Sequence, residues 1–359
     1  MKKRFFQRVV LVAMAVVTAQ VAVAESWRIN HDQSTGAHFA SINEAMASEK
    51  VQDGDMLYLD AGCVLSDNQT ISKAVTVIGT GWGFSSLPYL AARLDKALYI
   101  TVATTVSGLH VVGTVYPQHS DVVIERCYIQ GGISQTDTKI VAQNVVIRQC
   151  TIDGTVKGAG KTATQTSGWK VYNSQVYSKY NNGAIYNLFE VELVNDILRM
   201  NCRTGYYAET TSEAIQAVEN AIVKNNIILN ITSGGVAFKN IIITDASNLQ
   251  VYNNVLSADS TWGHLGKYPN NVIVGSATQT KYYVATGDGG EWMRLVENSP
   301  AKGAGEGGID CGPYAEGSLY PFVTYGMPQY VHYPKAMVVP ARPTDDKVNV
   351  NLKIVNQDK

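Results

Sequence analysis

Apolar and polar positions recur as a short phrase through the middle of the chain. Residues 122–129 read VVIERCYI and residues 145–152 read VVIRQCTI. WKVYNSQV (169–176), VELVNDIL (191–198), AIVKNNII (221–228) and LQVYNNVL (249–256) follow. The first, third and eighth positions are apolar, and the sixth is Cys, Ser, Asn or Asp. Alternation of this kind is the period of a strand with one face buried, and the Val, Ile and Tyr content favours strand over helix. Successive starts lie 23, 24, 22, 30 and 28 residues apart, the spacing of a solenoid whose repeats bury their apolar faces only against neighbours. The gaps carry turn chemistry, such as Gln130-Gly131-Gly132 and Asn181-Asn182-Gly183, and no helical period.

Each repeat is therefore expected to be one coil of short strands and turns. Equivalent positions in successive coils should lie about 4.8 Å apart. Ile124, Ile147, Val171, Leu193, Val223 and Val251 should form one buried column. The sixth positions, Cys127, Cys150, Ser174, Asp196, Asn226 and Asn254, should stack as a ladder in which the Asn side chains hydrogen-bond their neighbours.

The start of the chain adds a cap to this scheme. Ser41-Ile42-Asn43-Glu44 is a capping box for one short helix. Val51 to Leu59 then reads as a turn plus strand, and Val75-Thr76-Val77-Ile78-Gly79 as a further strand. A helix followed by these two strands resembles the N-terminal cap and first coil of the right-handed parallel β-helix of the pectin-lyase-like group. Asn298-Ser299-Pro300-Ala301-Lys302-Gly303, followed by Asp310-Cys311-Gly312, is similar to the tail of many secreted β-helix proteins of Bacteroidetes bacteria. The resemblance covers most of residues 27–313 and implies the fold. It does not imply one activity, because that group holds lyases, hydrolases, isomerases and non-catalytic proteins.

The termini set the expected organisation. Lys2, Lys3, Arg4 and Arg8 precede an apolar run from Val9 to Val17, and Ala22-Val23-Ala24 fits signal-peptide cleavage. Residues 1–24 are expected to be a signal peptide, 25–298 the β-helix, and 299–359 a C-terminal tail or cap. The alternating Val348 to Ile354 should form a final strand within that tail. Export to the cell surface or medium follows, with no membrane span in the mature chain, since no other segment is long and apolar enough.

Charge narrows the partners. Removing residues 1–24 takes four basic and no acidic residues from 29 and 30, leaving 25 basic against 30 acidic. An acidic balance argues against nucleic acid. No cofactor or metal is expected, because the chain has no CxxC and no HExxH, and its His show no paired spacing. GxSxG is also absent. Cys127 and Cys150 are expected to be free buried thiols.

The candidate chemistry lies on outward positions at 122–199. Glu125, Arg148 and Tyr172 stack at the fourth block position, Lys170 at the second, and Asp153, Tyr177 and Arg199 just past the blocks. As a sugar-binding face, this stretch would use Tyr172 and Tyr177 as stacking platforms, with Arg148 and Arg199 as polar contacts. As a catalytic face, Arg148 would neutralise a carboxylate and Lys170 or Tyr172 would transfer a proton, with Glu125 and Asp153 as an acid/base pair. The motif sets of the polygalacturonases and pectate lyases in the resembled group are missing. The leading expectation is thus a secreted β-helix that binds extracellular polysaccharide without catalysis. A polysaccharide lyase or hydrolase acting on uronic-acid glycans, and a structural or adhesive surface protein, stay open.

Overall fold

The computed structural model describes residues 24–82, 91–178, 183–202, 214–232, 243–244, 246–258, 270–275, 293–323, 326–327, 333–338 and 351–355. Residues 1–23 of the expected signal peptide lie outside the described residues. Among the described residues, three all-parallel sheets of ten, ten and eight strands run along one axis. Each coil contributes one strand to each sheet in turn, for example Val123–Glu125 to the first, Tyr128–Ile129 to the second and Ile133–Ser134 to the third. The chain is a right-handed parallel β-helix. Among the described residues no helix is long and apolar enough to cross a membrane.

The repeated phrase supplies the first two sheets. Its third position forms the expected column, with Ile124, Ile147, Val171, Leu193, Val223 and Val251 in register from coil to coil and all buried. Its eighth position, including Ile129, Ile152, Val176 and Leu198, turns inward from the second sheet. The third sheet lies in the gaps between blocks. Its three-residue strands alternate buried, half-buried, buried, as in Leu98–Ile100 and Val115–Pro117.

Two columns of left-handed backbone make the corners. Between the first and second sheets stand Gly108, Arg126, Gln149, Asn173, Asn195, Asn225 and Asn253, with φ between 47° and 68°. Between the third and first stand Asp121, Asn144, Gly168, Glu190, Asn220 and Asn248. Asn, Asp and Gly tolerate this region best, which explains their recurrence at fixed offsets around the phrase. Each corner of the first column turns the chain in one residue, so the next side chain, at the sixth position, points back inside.

That sixth position forms the expected ladder. The N–H of Cys150 donates to Ser174 Oγ at 3.1 Å, that of Ser174 to Asp196 Oδ1 at 2.8 Å, and that of Asp196 to Asn226 Oδ1 at 2.8 Å. Asn226 continues to Asn254 at 2.9 Å and Asn254 to Asn271 at 3.0 Å. Cys127 and Cys150 are free and buried.

The N-terminal end of the core is closed by helix α1, Ile42–Ala47, which buries Ile42, Ala45 and Met46. Ser41 Oγ accepts the Glu44 N–H at 3.1 Å, as a capping box requires. The Glu44 carboxylate reaches one residue further back, to the Ala40 N–H at 2.6 Å.

The tail does not extend the stack. Residues 293–323 fold back as a strap over the outer side of the second sheet. There Met293, Ala301, Cys311 and Phe322 form a separate apolar cluster with Ile197, Ile227, Leu229 and Val255. The side chains of the first corner column tie the strap down. Gln149 Nε2 donates to Pro321 O at 2.5 Å, Asn173 Nδ2 to Pro313 O at 2.8 Å, and Asn195 Nδ2 to Asp310 O at 3.3 Å. Asn225 Oδ1 accepts the Glu306 N–H at 2.8 Å, and Arg126 Nη1 donates to Met327 O at 3.0 Å. Beyond the strap, Tyr333–Val338 pairs antiparallel with Asn351–Val355, so the final strand joins a hairpin rather than the solenoid.

Candidate functional site

The first corner column divides the candidate residues between two sheets. Glu125, Arg148, Lys170 and Tyr172 belong to the first sheet. Asp153, Tyr177 and Arg199 follow or lie on second-sheet strands. Glu125 and Asp153 therefore do not converge as an acid/base pair; the Arg126–Gln149 corner stands between them.

On the first sheet every candidate has a partner. Arg148 bonds Glu125 Oε2 through Nη2 at 2.6 Å and Nε at 2.8 Å, while Glu125 Oε1 accepts Ser107 Oγ at 3.0 Å. The Tyr172 hydroxyl donates to Glu192 Oε2, and Lys170 Nζ lies 3.7 Å from Glu192 Oε1. Burial, with Glu192 beside it, pushes the Tyr172 phenol well above its usual range. Tyr172 is only 8% exposed. The strap residue Tyr320 covers it, with ring centroids 5.7 Å apart and planes 22° from parallel. Tyr320 also lies 4.5 Å from the Arg148 guanidinium. The ring that the sequence offers as an open platform is thus occupied from within the chain.

On the second sheet Arg199 lies 4.3 Å over the Tyr177 ring, in the register that pairs the two residues. Asp153 Oδ2 accepts the Tyr128 hydroxyl at 2.8 Å, and Gln130 Nε2 donates to that hydroxyl at 3.2 Å. Tyr128 stacks on His110 at 4.9 Å. Burial lifts the Tyr128 phenol to about 12 and, with Arg93 nearby, lowers His110 to about 4. His110 is accordingly a neutral ring at neutral pH.

The third sheet carries a further outward row. Pairing registers align Thr70, Tyr99, Tyr116, Ser134, Lys157, Tyr186 and Gln216 in single file. Each is half-buried, and each is the outward residue of its strand. Tyr99 and Tyr116 stack with centroids 5.0 Å apart and planes 12° from parallel. Lys157 Nζ lies 5.1 Å over the Tyr186 ring, and among the described residues no carboxylate pairs it. Ser134 leaves a gap one coil wide between the Tyr116 face and Lys157. The chain leaves the sheet after Ser134 and Lys157 through residues 135–145 and 158–169. Block-based reading missed this row because it falls in the gaps. Its signal was one outward Tyr inside a three-residue stretch, as in Leu98-Tyr99-Ile100 and Val115-Tyr116-Pro117, a pattern too short to separate from loop sequence.

Among the described residues no three His, Cys, Asp or Glu side chains converge where they could hold a metal ion. No family model, no curated protein and no solved structure matches the chain.

Proposed function

We propose that this chain is an exported β-helix protein that binds a linear extracellular polysaccharide along the third sheet, without catalysing its cleavage. The supporting observation is the single-file row from Tyr99 to Tyr186. A polymer running along the solenoid axis meets one side chain per coil, at a spacing of about 4.8 Å. Tyr116 offers a ring face for stacking beside the Ser134 gap, Ser134 a hydroxyl, and Lys157 a cation without a carboxylate partner among the described residues. The state of the candidate acids favours binding over catalysis. Glu125 is held by Arg148, Asp153 by Tyr128, and Glu192 by Tyr172 and Lys170. Export is supported by the basic and apolar N-terminal sequence with its small-residue cleavage motif.

The test is a panel of neutral and uronic-acid polysaccharides, with retardation in affinity gels and absorbance for unsaturated products read on the same samples. Retardation by at least one linear polymer, weakened in Tyr116→Ala and unchanged in Tyr177→Ala, is the expected result. Product formation, or equal retardation of wild type and Tyr116→Ala, overturns the assignment.

A further inference from the structure

We propose that the first-sheet face at Arg148 and Tyr172 is a binding site for an aromatic side chain on a turn-forming peptide segment, filled in this chain by its own Tyr320. The site is separate from the third-sheet row. It is recognised by what Tyr320 does there. One face of the ring lies almost parallel to Tyr172 at 5.7 Å, and the Arg148 guanidinium sits 4.5 Å from its centroid. Both are contacts to a π system, one by stacking and one by cation–π attraction. A pyranose could stack on Tyr172 but offers no π face to Arg148. Nor does Arg148 need an anion, because Glu125 already holds it in two contacts, at 2.6 and 2.8 Å. The site is therefore built for an aromatic ring rather than for a sugar.

The surroundings are built for a peptide. Gln149 and Asn173, successive rungs of the first corner column, direct their side-chain amides at the segment carrying the ring. Gln149 Nε2 takes Pro321 O at 2.5 Å, and Asn173 Nδ2 takes Ser318 Oγ and Pro313 O, both at 2.8 Å. Both residues are left-handed corners of the stacked coils.

The cis occupant is a small closed loop. The Phe322 N–H donates to Pro313 O at 2.9 Å and closes a neck around residues 314–321. Ala315 and Phe322 are buried at its two ends. The tip between them is exposed at Glu316, Gly317, Leu319 and Pro321, and Leu319 is 78% exposed. Gly317 holds φ of 83°, a turn conformation open to Gly. The tip can leave the first sheet by breaking the Tyr320 ring contacts and the Gln149 and Ser318 bonds. The neck and the strap's apolar cluster stay intact. A peptide presenting an aromatic residue then takes the same place in trans.

The experiment removes the cis ring and supplies it from outside. A synthetic peptide of residues 317–322, and a control with Ala in place of its Tyr, are titrated by calorimetry into Tyr320→Ala, Tyr320→Phe and wild-type protein. The expected result is saturable binding of the peptide to Tyr320→Ala, about tenfold weaker or absent for the control peptide. Wild type and Tyr320→Phe, whose own rings fill the site, should bind about tenfold less tightly than Tyr320→Ala. Adding Tyr172→Ala to Tyr320→Ala should abolish binding. No saturable binding to folded Tyr320→Ala, or equal binding of the control peptide, overturns the proposal. Should Tyr320→Ala fail to fold, limited proteolysis of Tyr172→Ala reads the same contact. Faster cleavage within 316–321 than in wild type is expected, and an unchanged rate overturns it.

Discussion

The backbone N–H of Asp196 donates to Asn226 Oδ1 at 2.8 Å, so a carboxyl group and an amide occupy successive rungs of one buried ladder. The amide rungs also donate downward. Asn226 Nδ2 reaches Leu193 O at 2.8 Å, Asn254 Nδ2 reaches Val223 O at 2.8 Å, and Asn271 Nδ2 reaches Val251 O at 3.1 Å. Asp196 presents an oxygen where they present a donor, and its Oδ2 has no partner. Burial raises its pKa well above the ordinary value of 3.8, against the pull of the Ser174 and Val194 N–H groups. A proton on Oδ2 would supply the missing donor.

The pH dependence follows from that shift. The folded form keeps a proton that the unfolded chain releases near pH 4. Above that pH the folded state binds more protons than the unfolded state, so stability falls as pH rises through the window up to the folded pKa. The slope inside the window is about 1.4 kcal/mol per pH unit. Asp196→Asn keeps the shape and adds the donor. It should be about 1–3 kcal/mol more stable than wild type at pH 7 and should lose this slope. Denaturant melts of both proteins from pH 3 to 9 measure it, and a variant less stable at pH 7 would contradict the assignment.

Ile147 lies at the centre of the core column, fully buried between Ile124 and Val171. A solenoid core has little freedom to collapse around a missing side chain, because each coil is fixed by its two neighbours. Ile147→Ala should cost about 2–5 kcal/mol in chemical denaturation. A change within about 0.5 kcal/mol, the range of exposed sites, would place Ile147 outside the core.

The strap completes the second sheet's outer face rather than decorating it. Ile197, Ile227, Leu229 and Val255 point outward and are buried in one apolar cluster with Met293, Ala301, Cys311 and Phe322 of the strap. Phe322→Ala should therefore cost about 3–5 kcal/mol. Asn173→Ala removes two hydrogen bonds to the strap and places Ala at φ 47°, for a cost of about 2–4 kcal/mol. Thermal melts with parallel proteolysis of the strap would separate these effects. Rapid strap cleavage at unchanged stability would show that it covers nothing essential.

What was legible in the sequence was what repeats at short range. Alternation within VVIERCYI and its relatives is enough to identify the column through Ile124 and Ile147 and the ladder through Asn226 and Asn254. The corner column was present in the same letters, at the fifth position, as Arg126, Gln149, Asn173, Asn195, Asn225 and Asn253. Its meaning depended on φ: a left-handed residue there moves Asp153 and Tyr177 onto a different sheet from Glu125 and Arg148. Without that turn, seven candidates appear to share one face. The docking of Tyr320 on Tyr172 joins residues 148 positions apart, and no local pattern encodes it. Tyr320 lies in a Pro-, Gly- and Tyr-rich stretch that reads as tail, yet its ring decides whether Tyr172 is a platform or a core residue.

The third-sheet row makes a prediction that separates its two kinds of contact. Tyr116 contributes through ring stacking, worth about 0.5–1.5 kcal/mol beyond area burial. Tyr116→Ala should therefore weaken binding of a retained polysaccharide up to about tenfold, largely independent of salt. Lys157 contributes through charge at a half-exposed position, where screening acts over about 10 Å at 0.1 M salt. Lys157→Ala should weaken binding of a uronic-acid polymer at low salt, lose that effect near 1 M salt, and leave a neutral polymer unchanged. Tyr99→Ala should be the mildest of the three, because Tyr99 lies beneath Tyr116 and is one coil further from the Ser134 gap. Affinity gels at two salt concentrations measure all three variants. If Tyr99→Ala and Tyr116→Ala weaken binding equally, the ligand does not enter at Ser134. If neither changes it, the row is a solvated sheet face and the polymer lies elsewhere on the solenoid.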